Sequence, residues 1–291
     1  MLAVIGTVPI KNFPLVIGEV YLEDDHIIIQ QKRISINRGT PALLAAAIKA
    51  CQMLDQPLPF GYLVGDIGLG EGSRRLYEYL SKNLGQSGFE TVVFHYIQPD
   101  VDWHNRIIFV VEEMKKRPIL IADAGFMYAA KMSGQAGKYD LFTPDIGEMA
   151  FLADEKAPHP FYTRGFILHE DNRLPELISR SYEHENASQH LLVKGQKDYI
   201  ATCQGVQAVV DSPSVEALEA IGGTGDTLTG MVSALIQKNM DIIEAATIAA
   251  QANRLAGHHA GATPSTRIIE IIRHIPRALE EILDSHEAGI G

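Results

Sequence analysis

The sequence is poor in cysteine and in basic residues. Its two cysteines, Cys51 and Cys203, are too few for a disulfide framework in 291 residues and are typical of a reducing cytoplasm. Lysines and arginines number 25 against 36 aspartates and glutamates, which gives a net charge of −11. Because such an acidic surface repels nucleic acids and anionic membranes, we expect neither as a partner.

Several sequence signatures are also missing. The first ten residues contain no basic residue ahead of an apolar stretch, and no apolar run reaches the ~18 residues of a membrane span. We therefore expect a cytoplasmic protein without a signal peptide or membrane segment. The absence of G-x-x-x-x-G-K-[ST], G-x-S-x-G and H-E-x-x-H motifs disfavours P-loop proteins, serine hydrolases and zinc proteases.

The central part of the chain predicts a parallel α/β fold. Short apolar segments alternate with helical segments, which is typical of a parallel sheet covered on both faces. The predicted strands are residues 60–64, 91–96, 118–122 and 140–142, and the predicted helices are residues 40–54, 73–84, 102–116, 125–132 and 145–153.

Both ends of the chain depart from this alternation. Near the N-terminus, predicted strands at residues 14–22 and 26–36 flank the turn Glu23-Asp24-Asp25, so residues 1–36 are expected to form either a lid or an edge hairpin.

Residues 154–172 are polar and irregular and are interpreted as a surface loop or flap. Strands at residues 191–194, 198–202 and 206–210 predict an antiparallel meander at the sheet edge. Further helices are predicted at residues 174–182, 227–238, 242–258, 266–274 and 276–283. A single domain of residues 1–291 is the simplest interpretation.

A glycine-rich segment precedes the helix predicted at residue 227. Glycine lets a phosphate approach the backbone, and a helix start adds unpaired N–H groups and a positive dipole end. The segment Gly222, Gly223, Thr224 and Gly225 is therefore predicted to bind a nucleotide phosphate. Asp226 is predicted to be the base that deprotonates a hydroxyl attacking a terminal phosphate, with a pKa lowered by the helix dipole. The alternative is a plain turn followed by a helix cap.

Polar residues follow several predicted strands. Asp66, Asp123 and Thr143 each come after an apolar strand, which places them at the carboxyl edge of a parallel sheet, where ligands bind. Each of them is equally suited to capping the following helix. We interpret Asp123 and Thr143 as candidate substrate-binding residues.

Charged residues near two other turns are candidates for phosphate and metal binding. Lys194 precedes Gly195 at a strand end, from which its ammonium could reach a phosphate, although a solvated lysine is the alternative. Glu148 could hold a Mg²⁺-bound water near the phosphates. Asp145 is a further candidate substrate-binding residue. Asp145 and Glu148 are three residues apart and also fit a capping box, and capping is the favoured role for Asp145.

Three stretches resemble the ribokinase-like superfamily and, within it, the ATP- or ADP-dependent NAD(P)H-hydrate dehydratases. Residues 222–230 (GGTGDTLTG) resemble that family's anion-hole motif, residues 142–150 (FTPDIGEMA) its Thr-Pro-His-Pro-Gly-Glu segment, and residues 193–195 (VKG) its Lys-Gly nucleotide contact. The resemblance covers residues 118 to about 283. Residues 63–72 (LVGDIGLGEG) are similar both to the family's Gly-Pro-Gly-Leu-Gly loop and to a loop of sugar kinases, and they make Gly70 a candidate substrate contact.

The resemblance implies a fold and an activity. The fold would be a three-layer α/β/α sandwich with a mostly parallel sheet and an antiparallel edge meander. In the implied reaction, the hydroxyl of hydrated NAD(P)H receives a phosphoryl group from ATP or ADP, and phosphate then leaves as the double bond reforms. Asp226 would deprotonate the hydroxyl, Gly225 would hold the nucleotide phosphate, and residues 194–198, including Asp198, would line the nucleotide pocket. Mg²⁺ and a homo-oligomer are also expected.

One departure from the family pattern leaves the substrate open. The family's histidine in the Thr-Pro-His segment is Asp145 here, and its second proline is Ile146. Three functions therefore remain at this point: the dehydratase, a kinase for a small alcohol such as a sugar or vitamin precursor, and a nucleotide-binding protein without catalysis.

Overall fold

A computed structural model describes residues 1–157 and 173–289. Of the segment interpreted as a surface loop or flap, residues 158–172 lie outside the described residues. The strands are β1 (Leu2–Val8), β2 (Val16–Glu19), β3 (Tyr21–Glu23), β4 (His26–Ile29), β5 (Lys32–Ser35), β6 (Phe60–Gly65), β7 (Thr91–His95), β8 (Ile119–Asp123), β9 (Leu141–Phe142), β10 (His190–Val193), β11 (Asp198–Thr202) and β12 (Gly205–Val210).

A nine-stranded mixed sheet forms the centre of the molecule. Its strand order is β12-β11-β10-β9-β8-β7-β1-β6-β2. The strands from β10 to β6 in this order are mutually parallel, whereas β11, β12 and β2 are joined antiparallel at the two edges. The predicted mostly parallel sheet with an antiparallel edge meander is confirmed.

Helices cover both faces of this sheet. They are α1 (Thr40–Met53), α2 (Glu71–Asn83), α3 (Val101–Glu112), α4 (Gly125–Met132), α5 (Ile146–Ala153), α6 (Leu174–Glu183), α7 (Thr224–Gln237), α8 (Ile242–His259), α9 (Ile268–Ile272) and α10 (Ile275–Gly289). Helices α2 to α6 pack on one face and α1 and α7 to α10 on the other. Successive strand residues alternate between the two cores, with Val4 in one and Ala3 and Ile5 in the other, because side chains of a strand point to opposite faces.

The N-terminal strands differ most from the prediction. Sequence reasoning assigned no strand to Leu2–Val8, yet β1 lies between β6 and β7 near the middle of the sheet. All seven of its residues are buried, so it lacks the polar alternation that marks a half-exposed strand.

The predicted N-terminal hairpin is divided between two sheets. Residues 14–22 form β2, at the edge of the large sheet, and then β3, which pairs with β4 across the predicted turn. Residues 26–36 are interrupted at Gln30 and Gln31, whose positive φ angles of 46° and 65° turn the chain into β5. The separate sheet β3-β4-β5 contacts α1. Across the described residues, no helix is both long and apolar enough to cross a membrane.

Candidate active site

A cavity of about 1080 Å³ opens at the carboxyl edge of the parallel strands. Tyr96 follows β7, Asp123 ends β8, Lys194 follows β10, and all three line it. Asp226, in the first turn of α7, lines it as well. The sheet therefore gathers side chains that are far apart in the sequence at the edge where ligands bind in open α/β sheets.

The glycine-rich segment forms the start of α7, which begins at Thr224 rather than at the predicted residue 227. Gly223 has a φ of 105°, and a Cβ there would lie 2.9 Å from Cγ1 of Ile268, so both conformation and space require glycine. No side chain of the described residues caps this helix start. Because Gly223, Thr224 and Gly225 line the cavity, the free N–H groups of the first turn are available to an anion there.

The Asp226 carboxylate is held at both oxygens and is only 8% exposed. Its Oδ1 lies 3.1 Å from His95 Nε2, and its Oδ2 accepts the Gly39 N–H at 2.5 Å. Burial alone would raise the pKa of Asp226. The hydrogen bond from His95, the Lys194 ammonium and the Gly39 N–H outweigh burial and lower it. The carboxyl is therefore kept ionised, which is the state a general base requires.

His95 is the residue that sequence reasoning missed. It is fully buried at the end of β7, with Nδ1 3.0 Å from Thr40 Oγ1 and Nε2 facing Asp226. If the Thr40 hydroxyl donates to Nδ1, the ring proton lies on Nε2 and is donated to Asp226. His95 and Asp123 are the last residues of neighbouring parallel strands, but the predicted strand 91–96 placed His95 inside a strand rather than at its end. The sequence contains no histidine metal-binding motif, and for that reason it predicts no histidine as a site residue.

Lys194 and Asp123 form a buried ion pair beside Asp226. Lys194 Nζ lies 3.0 Å from each oxygen of Asp123, and Thr229 Oγ1 donates to Asp123 Oδ2 at 2.7 Å. Burial would lower the pKa of Lys194, but the carboxylates of Asp123 and Glu148 outweigh it and raise the pKa. Lys194 also packs against the helix start, since a Cβ on Gly225 would lie 3.3 Å from its Cδ.

Glu148 and Asp145 form a capping box at the start of α5. The Asp145 side chain accepts the Glu148 N–H at 2.7 Å, and Glu148 Oε2 accepts the Asp145 N–H at 2.9 Å. Tyr128 donates its hydroxyl to the other oxygen of Glu148 at 3.1 Å. Burial and the nearby carboxylates of Asp145 and Asp123 raise the pKa of Glu148. Both residues line the cavity, so capping does not remove them from it.

Asp198 and Gly195 line the cavity on the meander side, together with Arg254 of α8. Asp198 Oδ2 accepts from Arg254 Nε at 2.8 Å, and its Oδ1 accepts the Gly195 N–H at 3.2 Å. Arg254 also donates to the Gly195 carbonyl at 3.0 Å. Burial raises the pKa of Asp198 despite the adjacent guanidinium. This network fixes the backbone turn after β10.

Three predicted site residues do not line the cavity. Thr143 is fully buried and does not line the cavity. Its hydroxyl lies 3.0 Å from that of Thr229, the residue that donates to Asp123. Gly70 is the N-cap of α2 and donates its N–H to Asp66 at 3.0 Å, in a loop that Asp66 organises. Gly222 precedes the turn and packs against Arg38.

His95, Asp123 and Asp226 place possible metal-ligand atoms within 4.8 Å of one another. The carboxylates already accept hydrogen bonds, and the Lys194 ammonium is bound to Asp123. A cation here would face that ammonium at close range, so the arrangement fits an ion-pair network better than a metal centre.

The fold is similar to that of ribokinase-like proteins of known structure. Phosphofructokinase-2 of Escherichia coli, in a mutant form, matches with a TM-score of 0.57 at 13% identity, over 96% of this chain and 99% of that one. A ribokinase-like superfamily protein of Enterococcus faecalis matches with a TM-score of 0.55 at 14% identity, over 97% and 87% of the two chains. These likenesses confirm the predicted fold class.

The sequence comparisons identify the family more closely. The sequence model of the NAD(P)H-hydrate dehydratase family matches residues 98–277, and the chain belongs to this family. An uncharacterized protein of Methanocaldococcus jannaschii is 40% identical over 83% of this chain and all of its own length. The ADP-dependent (S)-NAD(P)H-hydrate dehydratase of Cenarchaeum symbiosum is 28% identical to this chain. The matched region covers 47% of this chain and 43% of that protein. The family resemblance predicted from the motifs is confirmed.

Proposed function

We propose that the protein catalyses the nucleotide-dependent dehydration of hydrated NAD(P)H, with ATP or ADP as the phosphoryl donor. The observation that carries this proposal is the buried carboxylate of Asp226, held by His95 and Gly39 in the first turn of α7, where free N–H groups line the cavity. Membership of the dehydratase family supports the choice of substrate.

In the proposed reaction, Asp226 accepts the proton of the substrate hydroxyl as the hydroxyl oxygen attacks the terminal phosphorus of the nucleotide. The bond from that phosphorus to the bridging oxygen breaks, and ADP leaves from ATP, or AMP from ADP. The N–H groups at Thr224 and Gly225 would bind the phosphate, whose developing charge they stabilise. The phosphate then leaves with the electrons of the C–O bond. The neighbouring carbon loses a proton to water, and the electrons of that C–H bond restore the double bond of the nicotinamide ring.

We assign the meander side of the cavity to the nucleotide. The turn at Gly195 lines the cavity there, and its backbone is held in place by the Asp198–Arg254 pair. The Lys194 ammonium lies against Gly225 but is bound to both oxygens of Asp123, so we assign it to positioning the helix start beside the phosphate.

Glu148 and Asp145 fit a hydrated Mg²⁺ at the cavity wall. Neither carboxylate forms an ion pair among the described residues. Burial raises the pKa of Glu148, and so do the nearby carboxylates of Asp145 and Asp123, whose repulsion a cation would relieve. Mg²⁺ typically keeps several waters and uses few carboxylates, and when bound it neutralises phosphate charge. We therefore propose that Glu148 and Asp145 hold the ion through water.

The test is to incubate the protein with NADH hydrate, ATP or ADP and Mg²⁺, and to follow the return of reduced-nicotinamide absorbance. We expect turnover that a chelator removes. Asp226→Asn keeps the size of the side chain but removes the base, so its rate should fall on the order of 10²–10⁴-fold. Nucleotide affinity should be retained, because the N–H groups are unchanged.

Two outcomes would replace this proposal. Accumulation of a phosphorylated small alcohol without turnover of the hydrate would identify a kinase, for which the Asp145 departure leaves room. Nucleotide binding without any phosphoryl transfer would identify a non-catalytic binding protein. An Asp226→Asn variant with full activity would disprove the assignment of the base.

A further inference from the structure

A second cation, Arg38, lies against the glycine-rich turn at the end opposite Lys194. A Cβ on Gly222 would lie 3.5 Å from Arg38 Cδ, and one on Gly223 would lie 3.4 Å from Arg38 Cα. The Arg38 side chain is exposed, and its guanidinium has no hydrogen bond or ion pair among residues 1–157 and 173–289. The next residue, Gly39, donates its N–H to Asp226.

The cations of the cavity wall are already paired. Lys194 binds Asp123 at 3.0 Å, Arg254 binds Asp198 at 2.8 Å, and Lys197 lies 3.5 Å from Asp211. The wall carries more carboxylates than cations: Asp123, Asp145, Glu148, Asp198, Asp211, Glu216, Glu219 and Asp226. A polyphosphate entering such a site needs positive charge that is not already neutralised.

We propose that Arg38 binds a phosphate group at the Gly222–Gly223 end of the turn. A guanidinium presents two parallel N–H groups that match phosphate oxygens, and the stem of Arg38 already packs on the turn. The backbone of the next residue, Gly39, contacts Asp226, so the Arg38 site borders the wall that carries the base. Arg38 does not line the 1080 Å³ cavity, so its phosphate would sit at the rim. The inference rests on the proposed function only in taking the ligand to carry phosphate.

The phosphate has two possible sources, and binding measurements separate them. It is either the terminal phosphate of the nucleotide or a phosphate carried by the dinucleotide substrate. Dissociation constants for ATP, ADP and NADPH should be measured by calorimetry for the unmodified protein, Arg38→Ala and Arg38→Lys. The matched control is Arg33→Ala, an exposed arginine in β5 that lies 3.5 Å from Glu23.

We expect Arg38→Ala to weaken at least one phosphate ligand by roughly tenfold or more, because a charge-assisted bidentate contact is lost. Arg38→Lys should recover part of the loss, and Arg33→Ala should change nothing. A loss confined to ATP and ADP assigns the terminal phosphate, and a loss confined to NADPH assigns the dinucleotide phosphate.

The proposal is overturned by unchanged affinities in Arg38→Ala, by an equal loss in Arg33→Ala, or by no binding of any probe to the unmodified protein. If the protein binds these ligands but does not act on NADH hydrate, the proposed function is disproved and the Arg38 proposal is not.

Discussion

At the scale of single residues, the proposed chemistry depends on one carboxylate whose protonation is set by its neighbours. The sequence predicts a lowered pKa for Asp226 from the helix dipole, and the structure adds His95, Lys194 and the Gly39 N–H as causes. His95 is itself fixed by Thr40. Asp226 is thus oriented by groups from three separate parts of the chain.

Removing His95 should therefore change the pH dependence of the reaction. In His95→Ala the carboxyl loses a hydrogen-bond donor that favours its ionised form, so the pKa of Asp226 should rise. The acid limb of the pH profile of kcat/KM should move to higher pH, and His95→Gln, which keeps an N–H donor, should restore part of the shift. If the acid limb stays in place while the rate falls, His95 contributes only to packing.

At the scale of secondary-structure elements, the predicted alternation of strands and helices is confirmed for most of the chain. The errors occur where local pattern is least informative. Strand β1 was not predicted because all its residues are buried, so its sequence shows no polar alternation. One predicted strand is divided into two because Gln30 and Gln31 adopt positive φ angles. Helix α7 begins three residues early because Gly223, rather than Asp226, ends the turn.

The contact between β11 and α8 depends on a buried charge pair, Asp198 with Arg254, whose residues are 5% and 7% exposed. Arg254→Met should lower the free energy of unfolding by about 3–5 kcal/mol, because it leaves a buried carboxylate without its partner. The double variant Asp198→Leu/Arg254→Met should lose less, since no unpaired charge remains. Urea denaturation without nucleotide measures both, and equal losses in the two variants would contradict this explanation.

At the scale of the whole molecule, a large cavity sits in an acidic protein with a net charge of −11. Nucleotide binding must therefore rely on local N–H groups and a few cations rather than on overall charge. The single domain, the homo-oligomer and the cytoplasmic location remain predictions.

Nucleotide should stabilise the folded protein as a whole. A ligand that binds only the folded state adds about 2.7 kcal/mol when present at 100 times its Kd. The midpoint of thermal unfolding should accordingly rise with ATP or ADP. AMP, which lacks the terminal phosphates, should produce a smaller shift. Equal shifts with AMP would mean that the turn before α7 contributes little to binding.

The sequence by itself determined the layers of the fold, the glycine-rich helix start and the identity of Asp226 as the central carboxylate, because periodicity and glycine density are local properties. Tertiary structure alone decided which side chains meet there. His95 and Asp226 are 131 residues apart, and Lys194 and Asp123 are 71 apart. Their contact depends on strand order, since β7, β8 and β10 bring their carboxyl ends to one edge beside α7. Strand order follows from how whole elements pack against one another, and no single segment encodes it.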